Sequence, residues 1–320
     1  MRIATCGGLI VFAAALVQAA SVQAQYPTRP IRFIVPFAAG SANDIVGRIV
    51  GPPLSEALGR PVVIDNRPGF GGNIGAELAA NSPPDGYTLM MGNIAHAISV
   101  TLYSKLGYDL VRDFAPVSLL ASGSFLMTVH PSVPARTVKE LIALARARPG
   151  ELNVATSGAG VFLASELFHN IAGVKMTNVT YRSTPQAITA LVSGEVSVGF
   201  PGTSAAVPHV RSAKLRGLAV TSARRSPMAP DVPTIAEAGV PGYEASPWYG
   251  LMVPSRTPTE IISRLHAESV KALARPDVKE RFGTTDFQLI GGAPEQFGTH
   301  IRSEIEKWGK IVKATGLRPD

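Results

Sequence analysis

The chain has 320 residues, a formal charge of +7, 46% hydrophobic residues and a single cysteine. Its length allows two domains with ordinary apolar cores, and one cysteine excludes an intrachain disulfide framework or a multi-thiolate metal site. The basic residues are scattered, with Arg224-Arg225 the only tight cluster and no aromatic interleaving, so the charge points to small anions rather than nucleic acid.

Met1 to Ala24 reads as a secretory signal, with Arg2 as the positive start, Leu9 to Val17 as the apolar core and Val22-Gln23-Ala24 as the cleavage site. Cleavage after Ala24 would begin the mature protein at Gln25 and remove Cys6. The apolar run falls short of the ~20 residues a bilayer span needs. Cys6 precedes that run, whereas a lipobox cysteine would follow it. The expected product is soluble and exported.

Strand-like runs then alternate with segments of helical spacing: Ile31–Pro36, Val62–Asp65, Tyr87–Met91, Phe125–His130, Leu152–Thr156, Lys175–Tyr181, Val196–Phe200 and Leu215–Thr221. This alternation predicts an α/β fold of mainly parallel sheets flanked by helices. Thr137-x-x-Glu140 is a capping box, and Thr257-Pro258-Thr259-Glu260 marks another helix start with proline at the first helical position. A last helix is expected from Pro294 to Thr315, with Phe297, Ile301, Ile305, Trp308 and Val312 on one apolar stripe. Prolines crowd the stretch from Pro227 to Pro258, which argues against a helix or central strand there. It reads as a loop returning from a second domain, with the outward crossing near Ser122-Gly123-Ser124. The expected division is residues 25–122 plus 249–320 in the first domain and 123–248 in the second.

Two turns stand out. Gly40-Ser41-Ala42-Asn43-Asp44 follows the first strand, and Ser157-Gly158-Ala159-Gly160 follows the strand ending at Thr156. A helix start presents unpaired N–H groups and the positive end of its dipole, so each turn is a candidate anion cradle. One cradle per domain would grip a carboxylate between two jaws without any catalytic group. Ser41-x-x-Asp44 also matches a capping pattern, and a carboxylate there would partly cancel the local positive field.

Enzymatic alternatives find little support. None of His96, His130, His169, His209, His266 and His300 belongs to a His-Glu-x-x-His pattern, and no Gly-x-Ser-x-Gly elbow occurs. Gly69 to Gly75 misses the dinucleotide spacing by one residue. An exported hydrolase therefore stands as the alternative from a different class, and no catalytic residue, metal or cofactor is expected.

Tyr26-Pro27-x-Arg29-Pro30-Ile31-Arg32-Phe33-Ile34-Val35-Pro36-Phe37, followed by Gly40 and Asp44-Ile45-Val46-x-Arg48, resembles the start of the Bug-type solute receptors of tripartite tricarboxylate transporters. The resemblance continues through Asn66-Arg67-Pro68-Gly69-x-Gly71-Gly72-Asn73-Ile74-Gly75, Pro84-Asp85-Gly86-Tyr87-Thr88-Leu89 and Asp231-Val232-Pro233-Thr234-Ile235-Ala236-Glu237-Ala238-Gly239 to Pro294-Glu295-Gln296-Phe297. It covers essentially the whole mature chain.

The resemblance implies a two-domain Venus-flytrap clamshell of the periplasmic-binding-protein type (type II-like), monomeric, that closes on a small carboxylic acid in the periplasm. It implies inner-membrane transporter subunits as partners, or a sensor kinase that reads the closed form. By position, the binding loops map onto Phe37, Ala39, Gly40, Ser41, Ala42, Asn43 and Asp44, then Asn93, Ala95 and His96. In the second domain they map onto Thr156, Ser157, Gly158, Gly160 and Val161, then Pro201, Thr203 and Ser204, with Trp248 as a wall for a planar ligand. Many members carry Phe-Asp where this chain has Phe200-Pro201. That removes a carboxylate able to meet a ligand ammonium, so amino acids are expected to be poor ligands.

Overall fold

The computed structural model describes residues 26–317; the expected signal segment and its cleavage point lie outside the described residues. From the start, β1 (Ile31–Val35) leads into α1 (Ala42–Leu58), β2 (Val62–Asn66) into α2 (Asn73–Ala80), and β3 (Thr88–Asn93) into α3 (Ile94–Leu102). β4 (Phe114–Ser122) ends at the outward crossing. The middle of the chain gives β5 (Leu126–Val129), α4 (Val138–Ala147), β6 (Asn153–Thr156), α5 (Ala159–Ala172) and β7 (Thr177–Thr180). It continues with α6 (Thr184–Ser193), β8 (Val198–Gly199), α7 (Thr203–Arg211) and β9 (Arg216–Val220). The chain returns as β10 (Trp248–Pro254), then α8 (Thr259–Ala274), α9 (Pro276–Gly283), β11 (Gln288–Gly292) and α10 (Pro294–Thr315).

The strands form a six-stranded sheet, β11-β4-β10-β3-β1-β2, and a five-stranded sheet, β7-β6-β8-β5-β9. Apart from β11 at one edge, the two orders are the same arrangement built twice, each with a strand from a crossing inserted beside the third βα unit. The sheets are mixed, where the alternation predicted mainly parallel ones. β1 pairs parallel with β2 and β3, and β6 with β7 and β8. β10 runs antiparallel to β3 and β4, and β5 to β8 and β9. The reason lies in the connections: a strand–helix–strand crossover delivers its next strand parallel, whereas a strand arriving from the other sheet is free of that constraint.

β10 also corrects the reading of the proline-rich stretch. Every residue of Trp248–Pro254 is buried and the strand is central in its sheet, because Pro247 and Pro254 bracket it and leave its interior N–H groups intact.

The two faces of the first sheet feed different cores, following the two-residue period of a strand. Ile31, Phe33 and Val35 join α1 residues such as Val50 and Leu54. Ile34 and Met90 join a cluster that includes Phe297 and Trp308 of α10 and extends into the second lobe to Val154 of β6, Phe168 of α5 and Phe200 just after β8. The predicted stripe of α10 is packed inward, with Phe297, Ile301, Trp308 and Val312 buried and Ile305 half-buried. Glu304 sits among them, 4% exposed, and accepts from Trp308 Nε1 at 2.9 Å and Trp248 Nε1 at 3.1 Å. Lys307 completes this site as an ion pair with the same carboxylate.

Candidate functional site

In an open α/β sheet, ligands settle beyond the carboxyl ends of parallel strands, where neighbouring strands send their chains to opposite sides. Here those points fall between β1 and β3 and between β6 and β8. The loops leaving these four strands contain Phe37 to Asp44, Asn93 to His96, Ser157 to Val161 and Pro201 to Ser204. The two pairs come together: α3 packs on α5, and a side chain placed at Gly160 would come within 3.9 Å of Ile94 Cγ2. Added Cβ atoms at Gly40, Gly158 and Gly202 meet nothing within 4 Å, so these loop backbones border open space. A separate concavity of about 670 Å³ lies on the flank of α1 and β2, against Arg48, Pro52, Arg60 and Ile64, and none of the four loops lines it.

The first-lobe loop is closed by its own side chains. Asp44 is 2% exposed; its Oδ2 accepts from Gly40 N–H and Arg48 Nε, both at 2.8 Å, and its Oδ1 from Asn66 Nδ2 at 3.0 Å. Burial pushes the Asp44 carboxyl upward, but donors from Arg48, Gly40 and Asn66 together outweigh it and hold the group below its ordinary value. Ser41 Oγ accepts from Asp44 N–H, and Ser41 N–H bonds to Ala38 O. What remains unpaired within the described chain is the N–H of Ala42, the N–H of Asn43 and the Ser41 hydroxyl hydrogen. Gly40 and Asp44, expected among ligand-facing groups, are thus spent on the loop itself.

Asn43 and Asn93 join the two first-lobe turns through Asn93 Nδ2 and Asn43 Oδ1 at 2.9 Å. Asn93 also caps α3: its Oδ1 takes Ala95 N–H, and its own N–H bonds to His96 Nδ1 at 3.1 Å. His96 is fully buried, and burial pushes its pKa down to about 4. The ring is a neutral capping partner rather than a cationic anchor. Phe37 stands edge-on to it at 6.1 Å.

The second-lobe loops differ. Gly158 precedes α5 with φ 80° and ψ 163°, a region held almost only by glycine, and α5 has no side-chain cap. The N–H groups of Ala159, Gly160 and Val161 have no partner within the described chain. Ser157 Oγ lies 3.1 Å from Thr184 Oγ1. α7 likewise starts without a side-chain cap, and Ser204 is exposed with its hydroxyl unpaired within the described chain.

Several expected site residues sit elsewhere. Trp248 is 1% exposed, lies against Phe297 and His300, and is bonded to Glu304, so it is a core residue and not a cleft wall. Thr156 is buried and bonded across to β7 through Thr180 Oγ1 and Val179 O. Thr203 is buried with its hydroxyl on Ser124. Pro201 is buried beside Ser157, Val161 and Thr184, around a void of only about 10 Å³. Asn66 joins the site as a residue the sequence pattern does not single out: from the end of β2 its Nδ2 donates to Phe37 O and Asp44 Oδ1, and only its place at a strand end hints at this. Among the described residues no group of three metal-ligating side chains gathers.

Two mixed sheets flanked by helices, in two lobes, are the α/β architecture of solved periplasmic binding proteins such as BugD, which superposes with TM-score 0.75 at 28% identity over 92% of this chain and 100% of that one. A family model, the tripartite tricarboxylate transporter family receptor, matches residues 46–317, and the chain belongs to that family. Among its relatives, BugT of Bordetella pertussis is 35% identical over 92% of this chain and 91% of its own length. A protein encoded between tcbD and tcbE in Pseudomonas sp. strain P51 is 38% identical over 90% of this chain and 86% of its own. The R. palustris protein Rpa4515, solved with adipate, superposes with TM-score 0.78 at 36% identity, over 92% of this chain and 100% of that one. MatC from Rhodopseudomonas palustris, solved with malate, gives TM-score 0.75 at 32% identity, over 90% and 100%.

Proposed function

We propose that this protein captures a small di- or tricarboxylic or aromatic carboxylic acid between its lobes and delivers it to an inner-membrane transporter of the tripartite tricarboxylate type. The lobes divide at the crossings, residues 26–122 with 248–317 against 123–247, since Trp248 opens β10 of the first sheet, and the protein works as a monomer in the periplasm. The observation that carries this reading is the set of unpaired N–H groups at Ala159, Gly160 and Val161, beside the open space at Gly158 and on the helix that packs against α3 of the first lobe. An acid group satisfies several such donors at once and complements the helix dipole. Adipate and malate in the two solved relatives are of this chemical class.

Asp44 is the one acid in the four loops, and both of its oxygens are occupied. A ligand ammonium would find no counter-charge there, which agrees with the proline at position 201. Thermal unfolding with a panel of acids tests the reading. Adipate, malate, an aromatic acid, aspartate and glutamate are compared, and a true ligand at a hundredfold excess over Kd adds about 2.7 kcal/mol. Stabilisation by a non-amine acid is expected. No response to any acid would remove the receptor assignment, and a response to aspartate or glutamate alone would remove the exclusion of amines.

A further inference from the structure

Asp286 lies in the turn between α9 and β11 of the first lobe and is 4% exposed. Its Oδ2 accepts from the N–H of Ser124 at 2.8 Å and from the Ser124 hydroxyl at 2.7 Å. Its Oδ1 accepts from the hydroxyl of Ser226, which follows β9 in the second lobe. Among the described residues no cation pairs with this carboxylate. Burial pushes its pKa up, against the donors from Ser226 and Ser124. Burying an acid without a counter-charge is costly, and three donors from hinge and opposite lobe are what offset it.

Ser124 sits on the outward crossing and hands the connection on. Its carbonyl accepts from Thr203 N–H and Thr203 Oγ1, each at 3.1 Å, and the two hydroxyls are 2.7 Å apart. Thr203 is the first residue of α7, immediately before Ser204 on the second-lobe rim. Phe287, next to Asp286, also abuts this crossing, since a side chain at Gly123 would come within 3.2 Å of its ring.

We infer that Asp286 is a positioning residue for ligand capture, one that never meets the ligand. From the first lobe it holds the crossing at Ser124 and the second lobe at Ser226. Through Ser124 it sets where Thr203 places the start of α7. The resting angle between the rims, and so the fraction of molecules ready to bind, depends on this one carboxylate. Only the affinity arm of the test rests on the proposed carboxylate function.

The test uses pulsed electron paramagnetic resonance on ligand-free protein carrying Cys6→Ser and spin labels at Lys105→Cys and Lys175→Cys, both exposed loop positions, one per lobe. Asp286→Ala and Ser226→Ala should each broaden and shift the distance distribution. Asp286→Asn, which keeps an acceptor oxygen, should restore most of the parent distribution. Val278→Ala, a buried site in the same lobe, should lower the melting temperature and leave the distance unchanged. Adipate serves as the binding probe, and its Kd should rise about tenfold in Asp286→Ala, the effect of a tenfold smaller competent population. Distributions for Asp286→Ala and Ser226→Ala that superimpose on the parent would overturn the inference. If Asp286→Ala does not fold, Ser226→Ala decides. Failure of adipate to bind the parent would count against the ligand class, and the ligand-free distances would still decide the role of Asp286.

Discussion

The two lobes build the same strand order and finish it differently. In the first, α1 begins with Ser41 and Asp44, and those side chains consume the N–H groups of Gly40 and Asp44. In the second, α5 begins after Gly158, which has no side chain to offer, and three N–H groups are left over. A glycine turn before a helix is therefore not one kind of site. What matters is which donors the chain has already used, and by that measure the second lobe is the more receptive jaw while the first is a pre-set one.

The largest test of this contrast is Asp44→Ala. It strands Gly40 N–H, Asn66 and Arg48 together, and we expect a loss of about 2–4 kcal/mol in urea unfolding. A loss well under this would mean that the first-lobe loop holds its shape without Asp44, and the two jaws would then be more alike than they look.

Acid comes next. His96 is neutral when folded, with a pKa of about 4 against ~6.5 when unfolded, so the unfolded state binds the extra proton between those values. Stability should fall as pH drops from 7 to 4, by ~3 kcal/mol if the full shift is expressed. His96→Gln keeps the acceptor that caps Asn93 N–H and should flatten that limb of the curve. Asp44 acts lower. Its depressed carboxyl contributes fully above the unfolded value near ~3.9, and that contribution is lost as pH falls through the folded one.

On the second lobe, Ala159→Pro removes one N–H from the first turn of α5, where proline suits the helix. Thermal stability should hold while calorimetric affinity for a carboxylate drops by about 1.5–3 kcal/mol, the range for a bond to a charged group. Unchanged affinity would show that this helix start does not carry the acid. Ser204→Ala should produce the smallest change, about 1 kcal/mol of binding and no loss of stability. A larger effect there would move the centre of recognition from α5 to α7.

Much of this architecture was legible because it rests on local pattern. The eight apolar runs are strands, and α10 spans Pro294–Thr315 with its stripe turned inward; Thr137 caps α4 by accepting from Glu140 N–H, but the Glu140 carboxylate takes Arg136 N–H instead of closing the expected capping box. β10 was not legible, since its surrounding prolines mask a strand whose partners lie more than a hundred residues away. At the candidate site, the four loops could be placed from strand ends, but the fate of individual donors could not. Whether Asp44 faces a ligand or its own turn depends on Asn66, 22 residues on, and whether Thr203 is free depends on Ser124, 79 residues back. Trp248 was misjudged for the same reason: its partners are on α10, distant in sequence.

The shared carboxylate of Glu304 has an optical consequence. Both tryptophans of this protein donate to it, one from the strand that re-enters the first lobe and one from the last helix. Intrinsic emission is therefore a gauge of that joint, far in character from the amide-lined rims. A spectral change when an acid is added would report strain reaching the base of the molecule, while a silent spectrum beside a positive calorimetric signal would report capture with the joint at rest.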